Sequence, residues 1–121
     1  MTSAILLIAH GSRRAEANAE LVTVAEQLRP LVAPAIVEVS YLEVVGPTIP
    51  EGLEKCVSLG AESIRILPYF LSPGAHVVDD LEQARQDFQT RHPDIPCRLC
   101  PPLGRHPKLL EILVDHSQEE F

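Results

Sequence analysis

Residues 4–14 read AILLIAHGSRR, from Ala4 to Arg14. Six apolar residues in a row lead into His10, Gly11 and Ser12, and two arginines follow. A short continuous apolar run of this kind fits a strand covered on both faces, the signature of a parallel sheet. The next segment, roughly Arg13 to Arg29, carries Asn18, Leu21, Val22, Ala25 and Leu28 at helical spacing. Pro30 and Pro34 are expected to end that helix.

The alternation continues along the chain. Ala35 to Ser40 (AIVEVS) reads as a second strand. Thr48-Ile49-Pro50-Glu51 fits a capping box that opens a second helix, with Ile49, Leu53, Cys56 and Val57 on one face. Gly60 is placed to close that helix in a left-handed conformation. Ser63 to Leu67 (SIRIL) is the third strand, and Pro68 to His76 (PYFLSPGAH) is expected to be a loop. A third helix is predicted over Val77 to Gln89, with Val77, Leu81, Ala84 and Phe88 inward, stopped by His92-Pro93. Ile95 to Cys100 is a weaker strand because Pro96 lacks a backbone donor. Pro107 suits the first turn of a last helix, Lys108 to about His116. Strands alternating with helices predict an α/β fold: an open four-stranded parallel sheet with helices on both faces, layered as in flavodoxin. The 121 residues suit one domain spanning positions 1–121.

Composition narrows the function. The chain is 45% apolar and carries a net charge of −7, which argues against general nucleic-acid binding. No apolar run approaches the roughly 20 residues that span a bilayer, and no basic segment precedes the first apolar run, so a cytoplasmic protein is expected. Three cysteines, an odd number, do not suggest a disulfide framework. Cys97-x-x-Cys100 lies on a weak strand, not at a helix start that would activate a thiolate, and reads as ordinary packing. "HGSR" matches neither GxxxxGK[ST] nor GxGxxG, so no nucleotide site is expected.

In open α/β sheets, ligands bind beyond the carboxyl ends of the strands. His10 ends the first strand, Glu43 follows the second, and His76 follows the third. Topology therefore directs two imidazoles and a carboxylate to one edge. Such a set suits a divalent first-row metal ion and accepts protons near neutral pH. Taken singly, each residue reads as an ordinary loop or surface group; the coincidence at one edge raises them to candidates. Gly11 and Ser12 offer backbone N–H groups near the first helix, and Arg13 and Arg14 add positive charge for an anion.

Three stretches together carry a family resemblance: "LLIAHGSRR…AN", "SYLE…PTIPEGL" and "ILPYFLSPGAHVVDDL". They resemble the sirohydrochlorin chelatases, in the short form of the class II chelatases, and the likeness continues to "PPLGRHPKLLEIL". The resemblance implies insertion of a divalent ion, Co²⁺ or else Fe²⁺ or Ni²⁺, into sirohydrochlorin without ATP. It implies metal handling at His10 and His76, with Glu43 as the accompanying acid. It also implies a homodimer with the macrocycle in a cleft above the sheet edge. Gly11, Ser12, Arg13, Arg14, Ser72 and Ala75 are the expected substrate contacts, and Leu71, Pro73, Ala75 and Val77 the apolar walls. A histidine-rich tract and the extra cysteines of an iron–sulfur cluster, found in some relatives, are missing from this sequence. A carrier of metal or tetrapyrrole would use the same residues, and a phosphohydrolase with His10 as nucleophile would need a phosphate cradle that the sequence does not offer.

Overall fold

A computed structural model describes residues 1–121. Four strands form one parallel sheet: β1 (Ser3–Ala9), β2 (Ile36–Tyr41), β3 (Ser63–Pro68) and β4 (Cys97–Leu99), in the order β2-β1-β3-β4. Between them run α1 (Ala15–Val32), α2 (Ile49–Ser58) and α3 (Ala75–Arg91), and a 3₁₀ turn (Leu103–Arg105) and α4 (Lys108–Ser117) follow β4. The first crossover moves to one side of β1 and the second returns past it. Right-handed connections then put α1 on one face and α2 and α3 on the other.

The pleat of β1 sorts the core accordingly. Ala4, Leu6 and Ile8 are fully buried against Leu53 and Cys56 of α2 and Leu81 and Phe88 of α3. Leu7 faces the other way, packed with Leu21 and Ala25 of α1 and Val37 and Tyr41 of β2. Side chains alternate faces along a strand, so a run apolar at every position is required when both faces are covered. Gly52 lets α2 sit close: a Cβ there would stand 1.9 Å from Ser40 Oγ, and Ser40 donates its hydroxyl to the Thr48 carbonyl at 2.9 Å.

Local signals held where they were self-contained. Thr48 and Glu51 form the reciprocal capping box, and Gly60 stands at φ +98° just past α2. Pro30 does not end α1, which runs on to Val32. A proline this near a C-terminus forfeits one helical bond, and Leu28 and Val32 draw the last turn onto the core. Val22, expected on the inward face, is 41% exposed because α1 contributes only a narrow stripe to its face of the sheet. β4 is shorter than the expected Ile95–Cys100, and α3 begins at Ala75, two residues earlier than expected.

Candidate functional site

Three parallel neighbours, β2, β1 and β3, end at the same edge, and the crossovers leave in opposite directions from the boundary between β1 and β3. That is the switch point at which α/β sheets open a crevice. His10 leaves β1 there, and Glu43 leaves β2 beside it. The Leu42 N–H donates to the Ala9 carbonyl at 3.0 Å and the Glu43 N–H to the His10 carbonyl at 3.1 Å, so the ladder continues one step beyond each strand. Gly11 makes this approach possible. It adopts φ +98°, and a Cβ on it would lie 1.9 Å from the Glu43 carbonyl oxygen. On the other side, Val44 adopts φ +72° and the Val45 N–H closes back onto the Glu43 carbonyl at 2.8 Å. This is a γ-turn of the strained sense, on a β-branched residue that rarely enters that region.

Clamped from both sides, the Glu43 carboxylate meets the imidazole: His10 Nε2 stands 3.1 Å from Glu43 Oε1. Both side chains are more than half exposed, at 56% and 60%. The pair therefore keeps its water-facing positions open, and its two donors, one imidazole nitrogen and one carboxylate oxygen, suit a first-row divalent ion.

His76 reaches the same edge by a different route. It lies in the first turn of α3, not in the loop assigned to it from sequence, and it is exposed. Gly74 in extended backbone caps that helix, which lets α3 start at Ala75. The helix now sets the direction in which His76 projects. His10 and Glu43 are brought together, and His76 is not added to them: no three His, Cys, Asp or Glu side chains stand close enough to hold one ion.

Of the expected substrate contacts, Arg13 is exposed, whereas Arg14 precedes α1 and pairs with Glu16 at 3.0 Å. Ser72 and Ala75 are exposed on the segment leading to His76. The Ser12 N–H is already taken by Asn18 Oδ1 at 2.9 Å, and Asn18 Nδ2 donates to the Ser12 carbonyl at 2.7 Å. Asn18 thus clips the turn after His10 to α1, and the Tyr41 hydroxyl anchors the helix by donating to the Asn18 carbonyl at 2.6 Å. Sequence reading placed Asn18 only on the inward face of the helix. Its signal was a polar amide on an otherwise apolar stripe, six residues after a serine.

The remaining histidines and cysteines lie elsewhere. His92 Nε2 stands 2.5 Å from Glu54 Oε1 and the ring stacks on Phe88 at 4.7 Å, which pins α3 to α2. Cys56 and Cys97 are buried, and burial first of all pushes their thiols up to about 12 and about 11. They are packed, protonated groups and not redox thiolates.

A family model described as CbiX matches residues 4–120. The sirohydrochlorin cobaltochelatase of Priestia megaterium is 34% identical over 117 residues, a match covering 97% of this chain and 38% of that protein. The chloroplastic sirohydrochlorin ferrochelatase of Arabidopsis thaliana is 32% identical over 114 residues, covering 94% of this chain and 51% of that one. Among solved structures, the sirohydrochlorin chelatase SirB from Bacillus subtilis subspecies spizizenii, in complex with cobalt, superposes with a TM-score of 0.85 at 30% identity. It covers 98% of this chain and 50% of that one. The chain spans about half, or less, of the length of these relatives.

Proposed function

The chain belongs to the CbiX family, and from that premise we propose that residues 1–121 form a chelatase-like domain that inserts a divalent ion into sirohydrochlorin. Co²⁺ is the favoured ion, with Fe²⁺ or Ni²⁺ as the alternatives, and the reaction takes place in the cytoplasm without ATP. The observation that carries this reading is the 3.1 Å approach of His10 to Glu43 at the switch-point edge. Among the matched relatives are a cobaltochelatase and a ferrochelatase, so the same scaffold serves more than one ion.

Insertion exchanges two pyrrole N–H protons for one M²⁺. His10 Nε2 and Glu43 Oε1 take the ion as it sheds water, because both donors face solvent and neither is locked in a closed site. His76 completes the handling from the rim of α3, either as a third donor after the ring arrives or as a proton acceptor. The carboxylate and the imidazoles carry off the two protons. Leu71, Pro73, Ala75 and Val77 wall the ring, and Gly11, Ser12, Arg13, Arg14 and Ser72 stand along its approach.

We propose further that two copies pair. α4 exposes Leu110 at 67%, Ile112 at 48%, Leu113 at 57% and Val114 at 52%, and it packs chiefly against the 3₁₀ turn of its own chain. An apolar face of this extent is characteristic of an association surface. Sedimentation of the wild type as a dimer and of Leu113→Asp as a monomer supports this pairing; a monomeric wild type refutes it.

The test of function is absorbance of sirohydrochlorin mixed with each ion under anaerobic conditions and sub-stoichiometric protein. Many turnovers establish the chelatase; a change capped at the protein concentration establishes a carrier. His10→Ala and His76→Ala each lower the insertion rate severely and leave the melting temperature unchanged, since both side chains are exposed. Normal turnover by the double variant overturns these roles.

A further inference from the structure

Past β4 the chain runs through Cys100-Pro101-Pro102 into the 3₁₀ turn, and this turn is stitched to the loop that leads from β3 into α3, whose first turn carries His76. The Leu103 N–H donates to the Phe70 carbonyl at 3.1 Å and the Gly104 N–H to the Leu71 carbonyl at 2.9 Å. A Cβ on Gly104 would stand 2.2 Å from the Leu71 oxygen, so glycine is what permits the stitch. Arg105 follows directly and is held beside Leu71-Ser72-Pro73, a few residues before His76.

Two adjoining cavities of about 220 and 150 Å³ open at this place. Arg105, Pro73, Val78 and Pro102 line both, Ser72 lines the smaller, and Cys100 the larger. The walls are largely apolar and Arg105 is the cation. Arg14, Arg85 and Arg91 each face a glutamate, but no carboxylate of this acidic chain lies within salt-bridge distance of Arg105. Its fork is free for a carboxylate from outside.

We propose that Arg105 and the cleft beside it dock one peripheral carboxylate arm of the macrocycle and so fix the ring's orientation at the edge. This rests on the chelatase reading above and adds a specificity-determining contact to it. The volume decides what enters: a whole drug-sized ligand needs roughly 300–1,000 Å³ and each of the two cavities is smaller than that, so the cleft takes an arm and leaves the much larger ring outside, over the edge. The placement also fits. Neighbouring strands stand about 4.8 Å apart, and β4 lies three positions from β2, so the cleft and the Glu43 end of the edge are separated by roughly 14 Å. A tetrapyrrole with its acid arms bridges such a distance, with the metal-handling groups toward one side. Guanidinium binds carboxylate through two parallel N–H donors, which gives orientation as well as affinity.

The test compares wild type, Arg105→Gln and Arg105→Lys in sirohydrochlorin insertion and in absorbance titration of sirohydrochlorin without metal. Arg105→Gln raises KM and the dissociation constant about 10-fold or more, the range for a charge-assisted contact. Arg105→Lys, which keeps the charge and loses the fork, falls between. Melting temperature and Co²⁺ affinity measured without tetrapyrrole stay at wild-type values, which a merely structural role would not give. A KM and dissociation constant for Arg105→Gln within twofold of wild type overturn the proposal. If the wild type binds sirohydrochlorin but inserts no ion, it is the chelatase reading that fails, and the metal-free titration still decides the role of Arg105.

Discussion

Replacing Gly11 with alanine tests how the candidate site is assembled. Cβ atoms do not approach other atoms within 3.0 Å, so the 1.9 Å contact with the Glu43 oxygen demands a retreat of about 1.1 Å. The new residue is also held at φ +98°, a conformation costing an L-residue about 1–2 kcal/mol. Parting the two backbones breaks the bond from the Glu43 N–H to the His10 carbonyl, worth about 1 kcal/mol. Gly60 provides the control, for it has the same φ of +98° and a Cβ there would meet nothing within 4 Å. Gly60→Ala therefore carries the strain alone. At about 4 °C per kcal/mol for a domain of this size, its melting temperature falls by roughly 4–8 °C, and that of Gly11→Ala by about 4 °C more. In the absorbance assay Gly60→Ala keeps the wild-type insertion rate. Gly11→Ala loses about 100-fold, the order expected when a reacting group is misplaced by about 1 Å. Equal melting temperatures and equal rates in the two variants would refute the idea that Gly11 seats Glu43 against His10.

Five further outcomes follow from the caps, the packing and the buried thiols. Thr48→Ala removes the capping hydroxyl of α2 and costs about 1 kcal/mol in denaturant unfolding. The Glu51 half of that box has its carboxyl lowered first by the Thr48 backbone N–H, so its contribution is present above the ordinary value of 4.5 and fades as pH falls through the lower folded value; an acid unfolding series on wild type and Glu51→Gln reads this directly. Gly52→Ala drives a methyl into Ser40 and Leu6 and destabilises by about 1–3 kcal/mol, measured by the same unfolding curves. Of the three thiols, Cys100 alone reacts readily with a thiol reagent in the folded protein, and all three react in denaturant. The buried thiols hold their protons to about 11 and about 12 against an ordinary 9.0, so stability is full below pH 9 and declines as pH rises through that window. A flat alkaline stability profile, or three fast thiols in the native state, contradicts the burial of Cys56 and Cys97.

The chain's own residues dictate everything that depends on near neighbours. AILLIA is apolar at every position, so β1 must be covered on both faces; Thr48 and Glu51 are three apart, so they cap α2; Gly60 has no Cβ, so α2 turns out there. The alternation of such segments leads to a parallel sheet, and the sheet brings His10, Glu43 and His76 to one edge. Which of them touch was decided only in three dimensions. His10 and Glu43 meet because Gly11 admits the Glu43 backbone and Val44 folds it back. His76 was drawn into α3 because Gly74 capped the helix early. Pro30 was overruled by the burial of Leu28 and Val32, and the place of Arg105 depends on a stitch between Gly104 and Leu71. The Gly11–Glu43 and Gly104–Leu71 approaches and the burial that carries α1 past Pro30 rest on contacts between segments remote along the chain, which no pattern of neighbouring residues encodes; the start of α3 at Gly74 is local, but a glycine cap with no side-chain hydrogen bond leaves no signal in the sequence.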